Sequence, residues 1–398
     1  MSRLEELIQQ YCPDGVEYKK IKEVYQRIKG TPITAGKMKE IQCPTGEIRI
    51  FAGGKTVIDA NEADIPNANI TRVPSVLVQS RGVIDAIYYD KPFTFKNEMW
   101  AYTHKEQTSV KFLYYVMKQN IQHFRDAASG MGALPQISLG TTEDFVIPVP
   151  PLPVQEEIVR ILDNFAELQA ELQAELQKRL QQYNYYRDKL LTFSDLNGGY
   201  AVSVEWKKLD EICFATSNIK WKNTNEQYEY IDLTSVDIDT HAIVATSTID
   251  SETAPSRAQQ IVRQGDVIFA TTRPTQMRVC LIPPKYDGAI CSTGYCVLRP
   301  DNTKVLPSFL FFILSIEDFK RYLEQKQTMG NYPAISNKLL KEYAIPVPSL
   351  AEQQRIVDIL DRFSTLTTDI TAGLPAEIEA RRKQYEYYRD RLLTFKQK

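Results

Sequence analysis

IPVPPLPVQEEIVRILDNF, residues 147–165, recurs as IPVPSLAEQQRIVDILDRF at residues 345–363, an offset of 198 positions. A match of that length does not arise by chance, and an internal repeat governs every later reading of a chain. Downstream, Tyr185-Tyr186-Arg187-Asp188-Lys189-Leu190-Leu191-Thr192-Phe193 returns as Tyr387-Tyr388-Arg389-Asp390-Arg391-Leu392-Leu393-Thr394-Phe395, now at an offset of 202. Upstream, VEYKKIKEV from Val16 matches VEWKKLDEI from Val204. Met131-Gly132 with Pro135, Ile137 and Ser138 matches Met329-Gly330 with Pro333, Ile335 and Ser336. The 398-residue chain is therefore a tandem duplication. Its period is too long for a solenoid, so each copy predicts a globular domain followed by its own helical segment. The plan reads as domain one at 1–150, a central spacer helix at 151–193, domain two at 194–345 and a C-terminal spacer helix at 346–398.

The helical segments carry apolar residues at three-and-four spacing. They are Ile158, Ile161, Leu162, Phe165, Leu168, Leu172, Leu176, Leu180 and Tyr183 in the first copy, and Ile356, Ile359, Leu360, Phe363, Leu366 and Ile370 in the second. That spacing places one apolar stripe on one face of a helix. From Pro153 to Phe193 the first segment has 41 residues, about 60 Å of unbroken helix. Such a stripe needs a partner, and an antiparallel coiled coil of the two segments would cover both. Within it, LQAELQAELQ at 168–177 is a four-residue spacer unit. In the second segment Gly373-Leu374-Pro375 predicts a break, with a fresh helix starting at Pro375.

The domains mix short apolar strands with a few helices. PSVLVQS at 74–80 and GDVIFAT at 265–271 read as strands running into loops, whereas Val110–Asn120 and Phe309–Ile316 read as helices. The expected class is α+β: two related domains separated by the coiled coil, with a pseudo-twofold internal repeat.

Composition narrows the chemistry. Six cysteines without a CxxC pair and only three histidines leave little for a disulfide framework or a zinc site, so no metal is expected. The formal net charge is −2 and no segment is strongly basic, so charge alone does not announce nucleic acid. No apolar run is long enough for a membrane span or an export signal, and the reading places the chain in the cytoplasm.

Catalytic motifs fail one by one. Ala52-Gly53-Gly54-Lys55-Thr56 lacks the first glycine of a phosphate-binding loop, where Arg49 stands, and reads instead as a tight turn. Gly130-Met131-Gly132 lacks the third glycine of a dinucleotide loop. Pro13-Asp14 with Glu17 and Lys19 resembles a nuclease motif, but its carboxylates are too close in sequence and its second copy has no Pro-Asp, so a turn into a strand is expected. No Asn/Asp-Pro-Pro-Tyr/Phe tetrad of an aminomethyltransferase is present. The chain is not expected to be an enzyme.

The repeated IPVP…ILD(N/R)F segments, with YRDKLLTF and YRDRLLTF closing each helix, resemble the specificity subunit of a type I restriction-modification system across the whole chain. The resemblance implies that each domain reads one half of a bipartite double-stranded DNA site. The coiled coil would then set the gap and hold two modification subunits. It further implies that cofactors belong to the partners: S-adenosylmethionine to the modification subunits, and ATP with magnesium to the restriction subunits. A two-domain protein-interaction scaffold that never touches bases is the alternative.

On this resemblance the DNA-facing turns fall at Lys55, Gln79, Ser80 and Arg81 in copy one and at Thr272, Arg273, Gln276 and Arg278 in copy two. The glycine loops add Gly130, Gln136, Asn331 and Tyr332. Arginine pairs with guanine and glutamine with adenine, which marks Arg81, Arg273 and Gln276 as base readers and leaves phosphate contact for Lys55 and Arg278. A lone loop arginine is, however, commonly solvated or ion-paired. Tyr183, Tyr186, Tyr385 and Tyr388 are candidates for docking the modification subunits, although tyrosines at this spacing commonly pack inside a coiled coil. Deleting one QAEL unit removes roughly 6 Å of helix. The expected outcome is a shorter gap between otherwise unchanged half-sites, read by sequencing methylated adenines; an altered half-site would refute the ruler.

Overall fold

The computed structural model describes residues 3–129, 134–193, 204–368 and 373–398, the side chains of 365–368 excepted. Nine elements position the regions of interest. The strands are β1 (Glu17–Lys20), β2 (Ser75–Gln79), β3 (Val146–Val149), β4 (Glu205–Lys208), β5 (Val267–Ala270) and β6 (Ala344–Val347). The helices are α1 (Leu152–Thr192), α2 (Leu350–Thr368) and α3 (Leu374–Leu392). The chain divides into two compact units, one of Met1–Glu171 with Glu379–Lys398 and one of Leu172–Ile378, so the division falls inside α1.

In the first unit β2 is an inner strand of a four-stranded antiparallel sheet, between strands Asp85–Tyr89 and Trp100–Thr103. Successive side chains of a strand point to opposite faces. Val76 and Val78 accordingly enter a core shared with helix Gln107–Gln119 and the start of α1, while Leu77 enters a second core with Phe51, Phe93 and Phe95. Both faces are covered, which is why the strand reads as a continuous apolar run. The second unit repeats the plan. Val267 and Phe269 of β5 face the core that holds Ile356 and Leu360, and Ile268 and Ala270 face the core of Ile231 and Val297.

Each domain is tied shut at its ends. β1 pairs antiparallel with β3, Glu17 opposite Val149, and β4 pairs with β6 in the same register, Glu205 opposite Val347. This tie delivers the chain into the spacer helices through a proline-rich corner. There the buried Gln155 donates to the Pro150 carbonyl at 2.7 Å, and its repeat counterpart Gln353 donates to that of Pro150's counterpart, Pro348, at 2.9 Å.

The spacer helices are covered half by half. In the first unit the start of α1 meets the end of α3, where Phe165 stacks on Tyr388 with ring centroids 5.6 Å apart. In the second unit the end of α1 meets α2, where Tyr186 stacks on Phe363 at 6.4 Å. Asp163 fastens α1 to its domain by accepting bonds from Lys111 and Tyr115, each at 2.6 Å. The expected break is present: α2 is described to Thr368, and α3 begins at Leu374, with Pro375 in its first turn. The chain end also closes on its beginning within the first unit, since Val16 donates to Lys396 at 2.9 Å and Lys398 to Val16 at 3.1 Å. Leu162 and Leu360 are fully buried repeat counterparts. Leu162→Ala and Leu360→Ala are each expected to cost about 2–5 kcal/mol in denaturant unfolding; a cost below half a kcal/mol, roughly that of a surface change, would contradict the packing.

Candidate nucleic-acid interface

In both units the central strand leaves the core at a polar residue, Ser80 after β2 and Thr271 after β5, and the same hydrogen bonds catch the turn that follows. Ile137 donates to the Ser80 carbonyl and Ile335 to that of Thr271, both at 2.9 Å. Two residues on, Gly82 donates to Pro135 at 2.8 Å and Arg273 to Pro333 at 2.7 Å. Between them Arg81 bridges Gln136 and Thr272 bridges Ala334. The strand-end turns and the glycine loops, far apart in sequence, thus lie side by side in each domain.

In the first unit a third segment joins them. Residues 52–56 form the turn of a hairpin between strands Ile48–Phe51 and Val57–Ala60, closed by Ala52 donating to Thr56 at 3.0 Å. Gly54 donates to the Arg81 carbonyl at 3.0 Å, and Gln79 donates to the Gly54 carbonyl at 2.7 Å. Ser80 donates to the Glu98 carbonyl. Gln79 and Ser80 are therefore buried and spent on holding the turn, which corrects their reading as DNA-facing groups. Their amide and hydroxyl must find internal partners once desolvated. Lys55, Arg81 and Gln136 face solvent. A cavity of about 380 Å³ lies beside them, lined by Gly53, Arg81, Gly82, Lys96 and Leu134 among others. Lys96 is paired with Glu98 at 2.9 Å. Gly130 lies outside the described residues.

In the second unit the turn Pro274–Gln276 is bracketed by Arg273 and Met277, both with left-handed backbone. Arg278 does not reach outward. Its guanidinium donates to the carbonyls of Leu233 and Val236, the latter at 2.9 Å, and so bolts a neighbouring loop to the turn. This corrects its reading as a phosphate contact, because Nη1 is spent on these carbonyls and turns the guanidinium inward. Thr272 is half-buried in its bridge, whereas Arg273, Gln276, Asn331 and Tyr332 are exposed. The Arg273 guanidinium lies 5.3 Å from the centroid of the Tyr332 ring. Leu134 and Met329 lie in the glycine loops but were not singled out as site residues by sequence, and they project 62% and 96% exposed. Leu134 was findable as the repeat counterpart of Tyr332.

The four tyrosines of the spacer helices divide. Tyr183 and Tyr385 pack against the two domain cores, under Arg187 and Arg389 at 5.7 Å in both cases. Burial pushes both phenols up to about 12. Tyr186 and Tyr388 stack on Phe363 and Phe165 and keep one side in solvent. The most exposed tyrosines of the repeat are the adjacent Tyr185 and Tyr387, at 61% and 59%. The cysteines are free, and burial raises the thiols of Cys213, Cys280, Cys291 and Cys296, which disfavours the reactive thiolate. Among the described residues no cluster of metal ligands is found, and no helix is long and apolar enough to cross a membrane.

Comparison with known proteins places this architecture. Residues 13–182 and 202–380 match the family described as type I restriction modification DNA specificity domain. The chain is 33% identical over 309 residues to the EcoR124I/EcoR124II specificity subunit of Escherichia coli, covering 73% of this chain and 72% of that one. It is 32% identical over 318 residues to a putative type I restriction enzyme specificity subunit of Haemophilus influenzae, covering 75% and 77%. The fold is shared with the type I restriction-modification S subunit of M. genitalium, with a TM-score of 0.54 over 96% of both chains at 17% identity. The protein belongs to the type I restriction-modification DNA specificity family, with two such domains of mixed helix and sheet in one chain.

The bolt at Arg278 predicts that Arg278→Ala leaves the Val236 carbonyl without this donor and that of Leu233 with the Tyr295 hydroxyl at 3.4 Å, and costs about 1–3 kcal/mol, whereas Lys55→Ala changes stability by less than about 0.5 kcal/mol. Thermal or urea unfolding checks both.

Proposed function

We propose that this chain gives a type I complex its DNA specificity by presenting two different reading surfaces, one per domain, to the two halves of a bipartite site. Domain one spans 1–150 and domain two 194–345 in this reading; the spacer helices at 151–193 and 346–398 join into one antiparallel coiled coil that fixes the gap. The observation that carries it is the duplicated turn. Identical backbone bonds at Ser80–Gly82 and Thr271–Arg273 hold different exposed side chains, Arg81 and Gln136 in one domain and Arg273, Gln276, Asn331 and Tyr332 in the other. Loops on a rigid scaffold are where recognition varies.

The chain itself performs no chemistry in this reading. Two modification subunits dock on the spacer helices, where Tyr186 and Tyr388 keep a free side next to Tyr185 and Tyr387. They bring S-adenosylmethionine for adenine methylation, and restriction subunits bring ATP and magnesium. The assembly works in the cytoplasm on double-stranded DNA. With a net charge of −2 the isolated chain neutralises few phosphates, so its own DNA affinity is weak and the partners supply most of the backbone contacts.

The test is to assemble the chain with its modification subunits and sequence the methylated adenines. Protection of one bipartite site is expected, and exchanging the loops around Arg81 or Arg273 for those of a relative should change one half-site each. Methylation without regard to sequence, or loop exchange that leaves both half-sites as they were, would overturn the reading.

A further inference from the structure

We infer that Arg273, held over the ring of Tyr332, reads a guanine in the half-site of the second domain, and that Gly82 and Leu134, at the matching positions of the first domain, read none there. This rests on the DNA-reading role proposed above and assigns one base of it to one side-chain pair.

The matching is set by backbone bonds. Gly82 and Arg273 donate to Pro135 and Pro333, and Leu134 and Tyr332 immediately precede those prolines. The backbone conformation matches too, with φ of +80° at Gly82 and +51° at Arg273. Glycine enters that region freely, because it has no Cβ to clash; arginine does not. The second domain thus places a long cationic side chain where the turn favours glycine. Strained residues of this kind persist only where the surroundings hold them, and they gather at binding sites.

What Arg273 gains at that position is orientation. Its guanidinium stands 5.3 Å from the Tyr332 ring centroid, and Tyr332 is 74% exposed, so the pair projects from the domain surface. Among the described residues no carboxylate is ion-paired with Arg273. A guanidinium has five N–H donors, and contact with one ring leaves donors along its edge to bond elsewhere. Those edge donors match the O6 and N7 acceptors that guanine presents in the major groove. In the first domain the matching positions, Gly82 and Leu134, carry no side-chain donor. A Cβ on Gly82 would meet the Gly54 backbone at 3.3 Å and Leu134 Cδ2 at 3.9 Å, so the turn there is packed against its neighbours. One scaffold therefore carries a hydrogen-bonding side-chain pair at these two positions in one copy and none in the other, which makes the two half-sites different.

A phosphate contact would use the same guanidinium, and sequence preference separates the two roles: a phosphate contact weakens binding to all sequences alike, while a base contact relaxes one position. The complete complex with its modification subunits is assembled with the wild-type chain and with Arg273→Ala, Arg273→Lys, Tyr332→Ala and Tyr332→Phe, and methylated adenines are sequenced. Arg273→Ala is expected to relax one guanine of the second half-site, lowering its preference over other bases roughly five- to a hundredfold. Arg273→Lys relaxes it partly. Tyr332 is a positioning residue, so Tyr332→Ala relaxes the same guanine and Tyr332→Phe, which keeps the ring face, retains it. The first half-site and the gap stay unchanged in all variants, which also reports that the complex is folded.

An independent arm places 7-deazaguanine at each guanine of that half-site. One substitution should weaken methylation by the wild type and leave Arg273→Ala indifferent. A half-site without a G·C pair, an unaltered guanine preference in Arg273→Ala, or a uniform loss of methylation with the motif intact overturns the assignment while the specificity role stands. Sequence-independent methylation by the wild-type complex would instead sink the role itself.

Discussion

A 41-residue helix with a single apolar stripe needs cover, and besides the domain cores at its two ends that cover comes from two distant segments. The first part of α1 is covered by the C-terminal end of the chain and its last part by α2. The first compact unit is therefore incomplete until Glu379–Lys398 arrive. Apolar burial at Val154, Ile158 and Leu162 supplies the driving force, and the Phe165–Tyr388 and Tyr186–Phe363 stacks set the register of contact. Aromatic pairs of this kind add about 0.5–1.5 kcal/mol each beyond the area they bury. The first domain thus owes part of its core to Tyr385, Leu392, Leu393 and Phe395, far from it in sequence.

That constraint explains why the repeat is strictest where it is. The segments that diverge least, 147–165 with 345–363 and 185–193 with 387–395, supply the residues that meet across the helix contacts. Gln155 and Gln353, both buried, make the same bond to a proline carbonyl at the corner where each domain hands the chain to its helix. Between these fixed ends the sheets are free to drift. They do so: the first domain puts Leu77 against a phenylalanine-rich core, and the second puts Ile268 against a core with Cys280, Cys291 and Tyr295. A shared frame with diverged interiors and tips suits a molecule that must read two unlike half-sites.

Polar groups near the tips serve the frame as much as the ligand. Gln79, Ser80 and Arg278 look outward-facing in sequence because they sit at strand ends in turn-forming company. Each is instead spent on carbonyls of neighbouring segments, those of Gly54, Glu98, and Leu233 with Val236. Burying an unpaired carbonyl costs more than one hydrogen bond returns, so the turn recruits the nearest donors. Specificity is left to the side chains that this satisfaction does not consume.

The amino-acid sequence by itself determined the duplication, the α+β class, the spacer helix with its stripe, the break at Gly373-Leu374-Pro375, and the family. The family rests on the resemblance of its repeated motifs, and the others on self-similarity, periodicity or local stereochemistry, which the chain carries without reference to tertiary contacts. The central strands were legible for the same reason. Only the tertiary structure decided which loop residues face outward, that Arg81 lies beside Gln136 and Arg273 beside Tyr332, and that Gly82 and Arg273 share one left-handed position. Those facts depend on which distant donor meets which carbonyl, and hydrogen-bond partners on separate strands and loops leave no period in the chain for a reader to find.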